Sequence, residues 1–249
     1  MNIGFRCRLS YNSDLAKIRK FLDDTDTVKI VVGQSGIAFI STSKGDECYY
    51  MAMIHACDIY NLYVNTDAWE DGGIVRVIST ASLNNFTKGK EANADIQFTV
   101  DIEGTMLTMA IISGLGTIRE IQVPLVVPDM MYECPKITEA NIVIAVNEFK
   151  KFCSNMSKAS SEIKIESQRE ALRFTAGSGA SLYTYGNFKE GEPIQVSHIK
   201  SAAFVKASKI NIGNTKSSYA GLYVYDEYPF LIKIKLGTVD FKIYSKRYF

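Results

Sequence analysis

The stretch NEFKKFCSNMSK (147–158) carries two stripes at helical spacing. Phe149, Phe152, Cys153 and Met156 fall at i, i+3, i+4 and i+7, the apolar face of an α-helix. Lys151, Ser154 and Lys158 lie on the opposite side, with Asn147 beside them. The only acid, Glu148, sits on the flank. A solvated helix face normally mixes both signs of charge, so a face of lysine and small polar residues asks for an anionic neighbour.

Three other segments read the same way. In SDLAKIRKFLD (13–23) Leu15, Ile18, Phe21 and Leu22 form the apolar stripe, Lys17 and Lys20 lie opposite, Arg19 is on the flank, and Ser13 is a suitable N-cap. In 79–90 Leu83 and Phe86 point inward, while Asn84, Asn85 and Lys88 point out. In KSAAFVKASKIN (200–211) Ala203, Phe204, Ala207 and Ile210 form the stripe, with Lys206 and Lys209 expected on the far side. The chain has 27 acids and 28 bases, so their near absence of acids sets these four faces apart. Such faces suit sequence-independent contact with phosphates. No aromatic residue interleaves with the lysines, which favours a duplex over stacked single-stranded bases.

Around the helices the chain reads as strands. VKIVVGQSGIAFIST (28–42) alternates about a GQSG turn. CYYMAMIHAC (48–57), IYNLYVNT (59–66), DIQFTVDIEG (95–104) and TMLTMAIIS (105–113) are rich in β-branched and aromatic residues, as are EIKIES, ALRFTAG, SLYTYG, YAGLYVYD, FLIKIKLG and TVDFKIYS further on. Four weak matches recur in the same order. VKIVVGQSGIAF pairs with IKIESQREALRF, IRKFLDD with FKKFCSN, NNFTKGK with AAFVKAS, and LGTIREI with LGTVDFKI. Together they predict a duplicated α+β domain, each copy running β-α-β-β-β-β-α-β-β-β. The boundaries expected are 1–122, a connector over 123–139, and 140–249. The connector, VPLVVPDMMYECPKITE, holds Pro124, Pro128 and Pro135 together with Val126, Val127, Met130, Met131 and Tyr132. Its apolar residues either pack on the sheet or stay exposed to receive a partner.

Composition and motifs argue against an enzyme. A formal net charge of +1 confines any basic surface to local patches. The five cysteines form no metal or redox spacing and read as free thiols of a reducing compartment. The N-terminus lacks a signal-peptide core, and no apolar run is long enough to cross a bilayer. His55 and His198 sit in strand-like surroundings. The GSG at 177–179 reads as a hairpin turn and TDAWEDGG (66–73) as a surface loop. No cofactor and no metal are expected.

The order of these features resembles the sliding clamp family of proliferating cell nuclear antigen (PCNA) over nearly the whole chain. FRCRL…LAKIRKFL is similar to the family's opening strand and helix, and VNEFKKFCSNMS to the start of its second domain. YVYDEYPFLIKIKL (223–236) carries a loosened form of its late D-x-P turn, and VDFKIYSKRYF is similar to its closing strand. The resemblance implies two clamp-type domains with sheets outside and two short helices each on the inner face, joined head to tail in a ring, as a homotrimer, around duplex DNA. It implies a non-enzymatic processivity factor for a DNA polymerase that serves replication and repair. A clamp loader and short apolar peptide motifs of replication proteins would be its partners, with no membrane. An intracellular site is implied, nuclear if the source or host is eukaryotic and otherwise cytoplasmic.

Carried over by residue, Lys17, Lys20, Lys88, Lys151, Lys206 and Lys209 would face DNA, with Arg19, Lys90, Lys150, Lys158 and Lys200 further out. Thr42, Val126, Val127, Met130, Tyr132, Pro229, Ser245 and Lys246 would form the partner surface. Subunits would meet along GTIREIQV (116–123) and SLYTYGN (181–187) through Thr117, Arg119, Ile121, Tyr183 and Tyr185. Two features depart from the family: the tail reads SKRY where a Leu-Ala-Pro-like segment is usual, and the turn STSK (41–44) holds Thr42 where the resemblance implies a bulky apolar residue. A clamp-fold accessory factor of replication or transcription is the alternative, a monomer or part of a heteromer, holding DNA by charge without closing a homotrimeric ring.

Overall fold

The computed structural model describes residues 2–10, 15–22, 25–43, 45, 48–69, 72–86, 94–128, 139–177, 179, 181–210, 218–224 and 230–248. In chain order the first half gives β1 (Ile3–Ser10), α1 (Ala16–Phe21), β2 (Thr27–Gly33), β3 (Gly36–Thr42), β4 (Cys48–His55), β5 (Tyr60–Val64), β6 (Gly73–Ser79), α2 (Thr80–Phe86), β7 (Asp95–Asp101), β8 (Met106–Ser113) and β9 (Gly116–Pro124). The second gives β10 (Ile142–Ala145), α3 (Val146–Ala159), β11 (Glu162–Gln168), β12 (Ala171–Ala176), β13 (Ser181–Tyr185), β14 (Gln195–Lys200), α4 (Ala202–Lys209), β15 (Tyr219–Tyr223), β16 (Phe230–Leu236), β17 (Val239–Ser245) and β18 (Arg247–Tyr248). The helices stand where the 3.6-residue stripes predict them. The first copy carries one strand more than expected, β5, and the second one more at its end, the two-residue β18.

Two compact units form. One consists of Met1–Ser41, Met51–Tyr132 and Gly237–Asp240, the other of Thr42–Tyr50, Glu133–Leu236 and Phe241–Phe249. In the first, an antiparallel sheet runs β5-β1-β7-β8-β9, and a second run of strands goes β4-β3-β2-β6. Period-two alternation on β1 sends Phe5, Cys7 and Leu9 to the core and Arg6 and Arg8 to the opposite face. The Phe39 and Phe98 rings meet edge-on at 5.9 Å. The apolar stripes of α1 and α2 are buried at Leu15, Ile18, Phe21, Leu83 and Phe86.

The 66–73 loop is more than surface. Its Trp69 is buried and donates from Nε1 to the Ile102 carbonyl at 3.0 Å. Gly4 is required there, since a Cβ would lie 2.4 Å from the indole.

In the second unit one sheet runs β13-β12-β11-β14-β18 and another set runs β10-β15-β16-β17. α3 packs against α4. The Phe152 ring lies 5.0 Å from Phe174 and 5.4 Å from Phe204, and Phe230 lies 5.7 Å from Phe204. The Phe152 contacts are edge-on and the Phe204–Phe230 pair is tilted; all four rings are buried, each contributing roughly 2–3 kcal/mol of transfer free energy. β12 pairs antiparallel with β13 on either side of the GSG stretch, of which Ser178 lies outside the described residues. Among the described residues, no helix is long and apolar enough to cross a membrane.

Candidate nucleic-acid face, sheet edges and partner surface

In the first unit, α1 turns Lys20 fully outward, with Lys17 and Arg19 half-exposed. Arg19 and Lys20 occupy its last turn, where cations favour the negative helix end. α2 exposes Ala81 and Asn85 and carries no charge. Its start is tied to the end of α1, because Thr80 N donates to the Asp26 carbonyl at 3.0 Å. Thr25 Oγ1 bonds the Leu22 carbonyl at 2.9 Å and lies 3.5 Å from Thr80 Oγ1. Lys88 and Lys90 lie outside the described residues.

In the second unit, Phe149, Phe152, Cys153 and Met156 of α3 are buried, and Asn147, Lys150, Lys151, Asn155 and Lys158 are exposed, as the two stripes require. Burial pushes the Cys153 thiol well above its ordinary range, so it is an inert core residue. Glu148 is the one acid within the four helices. On α4, Lys209 and Val205 are exposed.

Lys206 corrects the sequence expectation. It is 2% exposed, and its ammonium sits 4.7 Å from the centre of the Tyr50 ring. The cause is angular. At 100° per residue Lys206 stands beside Ala203 and Ile210, at the margin of the apolar stripe, and its long stem packs inward. Lys200, at the end of β14, reaches Glu162 at 3.8 Å.

The two segments assigned to subunit contact are both sheet edges: β9 ends one sheet and β13 ends another. Ile118 is 50% exposed and Leu115 at the preceding turn is fully exposed. The register shifts between Ile111/Arg119 and Ile112/Thr117, which makes Ile118 the extra residue of a β-bulge. The bulge puts Thr117 on the opposite face from Arg119 and Ile121, so the expected period-two row breaks there. On β13, Tyr183 and Tyr185 share a face, but that face is turned to their own unit. Their rings stand 5.1 and 5.6 Å from Phe152, and the Tyr183 hydroxyl accepts from Asn155 Nδ2. Burial pushes Tyr185 up to about 12, with a smaller push from the Glu148 carboxylate.

The connector begins with a one-residue antiparallel bridge alongside β6. Val126 N donates to Val77 O at 3.2 Å, and Val77 N donates back at 2.8 Å. Val126 and Val127 are 62% and 68% exposed, so these two apolar side chains are not packed down. Met130, Tyr132 and Pro229 lie outside the described residues. In the other unit Thr42 is half-exposed, and the turn after it is closed by Ser43 N to Cys48 O at 2.8 Å and Cys48 N to Ser43 Oγ at 2.9 Å. Ser245 is fully buried, which removes its side chain from any surface, whereas Lys246 is exposed.

Sequence reading missed a cluster beside these residues. Tyr223, Leu231 and Tyr244 pack together with Tyr49 and Ala140, and the Tyr49 and Tyr244 rings meet edge-on at 5.8 Å. The available signal was the odd-numbered alternation of Tyr219, Gly221 and Tyr223, which sets Tyr223 on the face opposite buried Ala220 and Leu222. Gly221 leaves room for the Tyr223 ring, whose nearest carbon would lie 2.9 Å from an added Cβ.

No protein-family model matches the chain, and no curated protein does. Among solved structures, the chain is similar to the crystal structure of proliferating cellular nuclear antigen from Entamoeba histolytica. The TM-score is 0.69 at 15% identity, covering 99% of this chain and 100% of that one. The fold is therefore that of a PCNA-type clamp.

Proposed function

We propose that this chain is a DNA sliding clamp, a processivity factor that encircles duplex DNA as a homotrimer and tethers a polymerase and other replication and repair proteins. The observation that carries this reading is the outward face of the helices. On a PCNA-type fold, Lys17, Arg19, Lys20, Lys150, Lys151, Lys158 and Lys209 project from α1, α3 and α4 with Glu148 as the one acid among them. Lysines neutralise phosphate without reading bases, so the contact slides and its affinity falls steeply with salt. The fold works here as a scaffold rather than as an enzyme. The exposed Val126 and Val127 support a surface for apolar anchors of partner peptides.

Replacing Lys20, Lys151, Lys158 and Lys209 together by Ala tests the reading. The quadruple variant should stay folded, lose stimulation of its polymerase, and show a shallower salt dependence of DNA association. Unchanged association and stimulation would reject the face. Light scattering separates the two assemblies: three times the chain mass supports a closed homotrimer, and a monomer supports an accessory factor that holds DNA by charge alone.

A further inference from the structure

We propose that the open edge of β10 is a docking site for an extended peptide of a partner protein, which adds a strand where β5 lies in the other unit. The two units share one element order except for that strand and the two-residue β18 at the end of the second. β1 is paired on both edges, with β5 and with β7, whereas β10 pairs with β15 and no described strand lies along its other edge. An edge of this kind presents unpaired backbone groups as a template for another chain.

The segment that corresponds to β5 in chain order, between β13 and β14, is held elsewhere. Gln168 at the end of β11 is buried, and its Nε2 donates to the carbonyls of Lys189 at 3.0 Å and Glu192 at 3.1 Å. Its Oε1 accepts from Lys189 N at 2.7 Å. The Arg173 guanidinium also lies over the Phe188 ring at 4.6 Å. These contacts draw residues 188–192 to β11 and β12, and no described strand covers the β10 edge.

Pairing alternation orients that edge. Val146 N donates to Ser218 O at 3.1 Å, which places residues 142 and 144 in hydrogen-bonded positions toward β15. The N–H and C=O of Val143 then point to the open side. The flanks are apolar: Val143 is 63% exposed and Tyr219, paired with Ala145 on the neighbouring strand, is 60% exposed. A cleft of about 590 Å³ opens at the start of the strand, bounded by Asn141, Gln168, Arg169 and Ile194. Asn141 fixes its wall, donating from Nδ2 to Arg169 O at 3.2 Å and accepting at Oδ1 from Val224 N at 2.6 Å.

β5 on β1 shows what fits. It runs antiparallel, with Tyr63 opposite Arg6 on the outer face and Val64 opposite Phe5 on the core side. The occupant of the β10 edge is accordingly an antiparallel segment with an aromatic or aliphatic residue opposite Val143 and an aliphatic residue opposite Ile142 or Ile144. Main-chain bonds supply the binding and alternate side chains the selectivity. This inference does not depend on the reading of the helices as a DNA face.

The probe is a synthetic peptide of the β5 segment, IYNLYVNT (59–66), added to the full chain while amide hydrogen exchange is followed by NMR. Exchange of the Val143 amide should slow about tenfold or more at saturation, with Ile144, already paired, unchanged. The same peptide with proline in place of Tyr63, whose N–H faces the partner strand in β5, should have no effect. Val143→Pro, which leaves no amide at 143, should abolish the peptide's protection of the Ala145 amide on the same open side, and Val143→Lys, which keeps the backbone donor, should weaken protection at 143 while the thermal transition stays in place. No slowing at Val143 with the unaltered peptide would overturn the proposal. Protection of Val143 without peptide would also overturn it: if independent of protein concentration, the chain's own segment covers the edge, and if rising with concentration, a second copy does.

Discussion

Lys206 and Lys209 lie one turn apart on α4 and look alike as letters, yet they have different work. Lys206 lies at the stripe margin, buried against Tyr50, while Lys209 projects to solvent. Lys206→Ala removes a buried aliphatic stem and a desolvated cation–π contact, and should cost about 1–2 kcal/mol of stability in chemical denaturation. Lys209→Ala should stay within about 0.5 kcal/mol of the parent and should instead weaken DNA association. Equal destabilisation by both would contradict the burial of Lys206. The partner that buries it, Tyr50, is more than a hundred residues away in the chain. Helical periodicity alone therefore could not reveal the difference.

At the scale of elements, strong periodic signals were legible and weak ones were not. The four helices, the β2–β3 hairpin and the runs at β11, β12, β13, β15, β16 and β17 were read from stripes and alternation. β6 and β10 were missed, since GIVRVIS alternates weakly and the four residues IVIA run straight into α3, while β14 showed only as the strand-like surroundings of His198. The bulge at Ile118 left no trace in composition, because a register shift is set by the partner strand.

Turns show their chemistry more locally. Between β7 and β8 the Asp101 carboxylate accepts from Thr105 N at 2.7 Å, Met106 N at 2.8 Å and the Thr105 hydroxyl at 2.6 Å. Burial would raise its pKa, but the Thr105 hydroxyl and these backbone donors outweigh burial and hold it below the ordinary carboxylate value. A folded-state pKa below the unfolded one gives stability that is present at neutral pH and lost as pH falls through the folded value. Asp101→Ala should therefore cost about 1 kcal/mol near neutral pH. The gap from the parent should narrow below the ordinary carboxylate range, as followed by thermal unfolding across pH. A gap that widened with acid would reverse the assigned sign.

For the whole molecule the decisive question is what covers the β9 edge. Leu125 N donates to Thr105 O at 2.8 Å, in register with the β8–β9 ladder. Alternation from that bond places residues 119, 121 and 123 toward β8 and leaves the N–H groups of Glu120 and Gln122 on the open side. If β9 of one copy continues into β13 of the next, as proposed for the trimer, those two amides are ladder donors between subunits. Glu120→Pro removes one such donor without breaking a bond to β8, and proline is tolerated on an edge strand. The variant should retain the parent's far-ultraviolet circular dichroism and unfold within a few degrees of it, while its mass by light scattering falls from trimer to monomer. The control is Arg119→Pro, which removes a bond inside the subunit and should lower thermal stability. An intact trimer from Glu120→Pro would mean that the ring closes along another edge, and with it the assignment of Arg119 and Ile121 to the interface would fall.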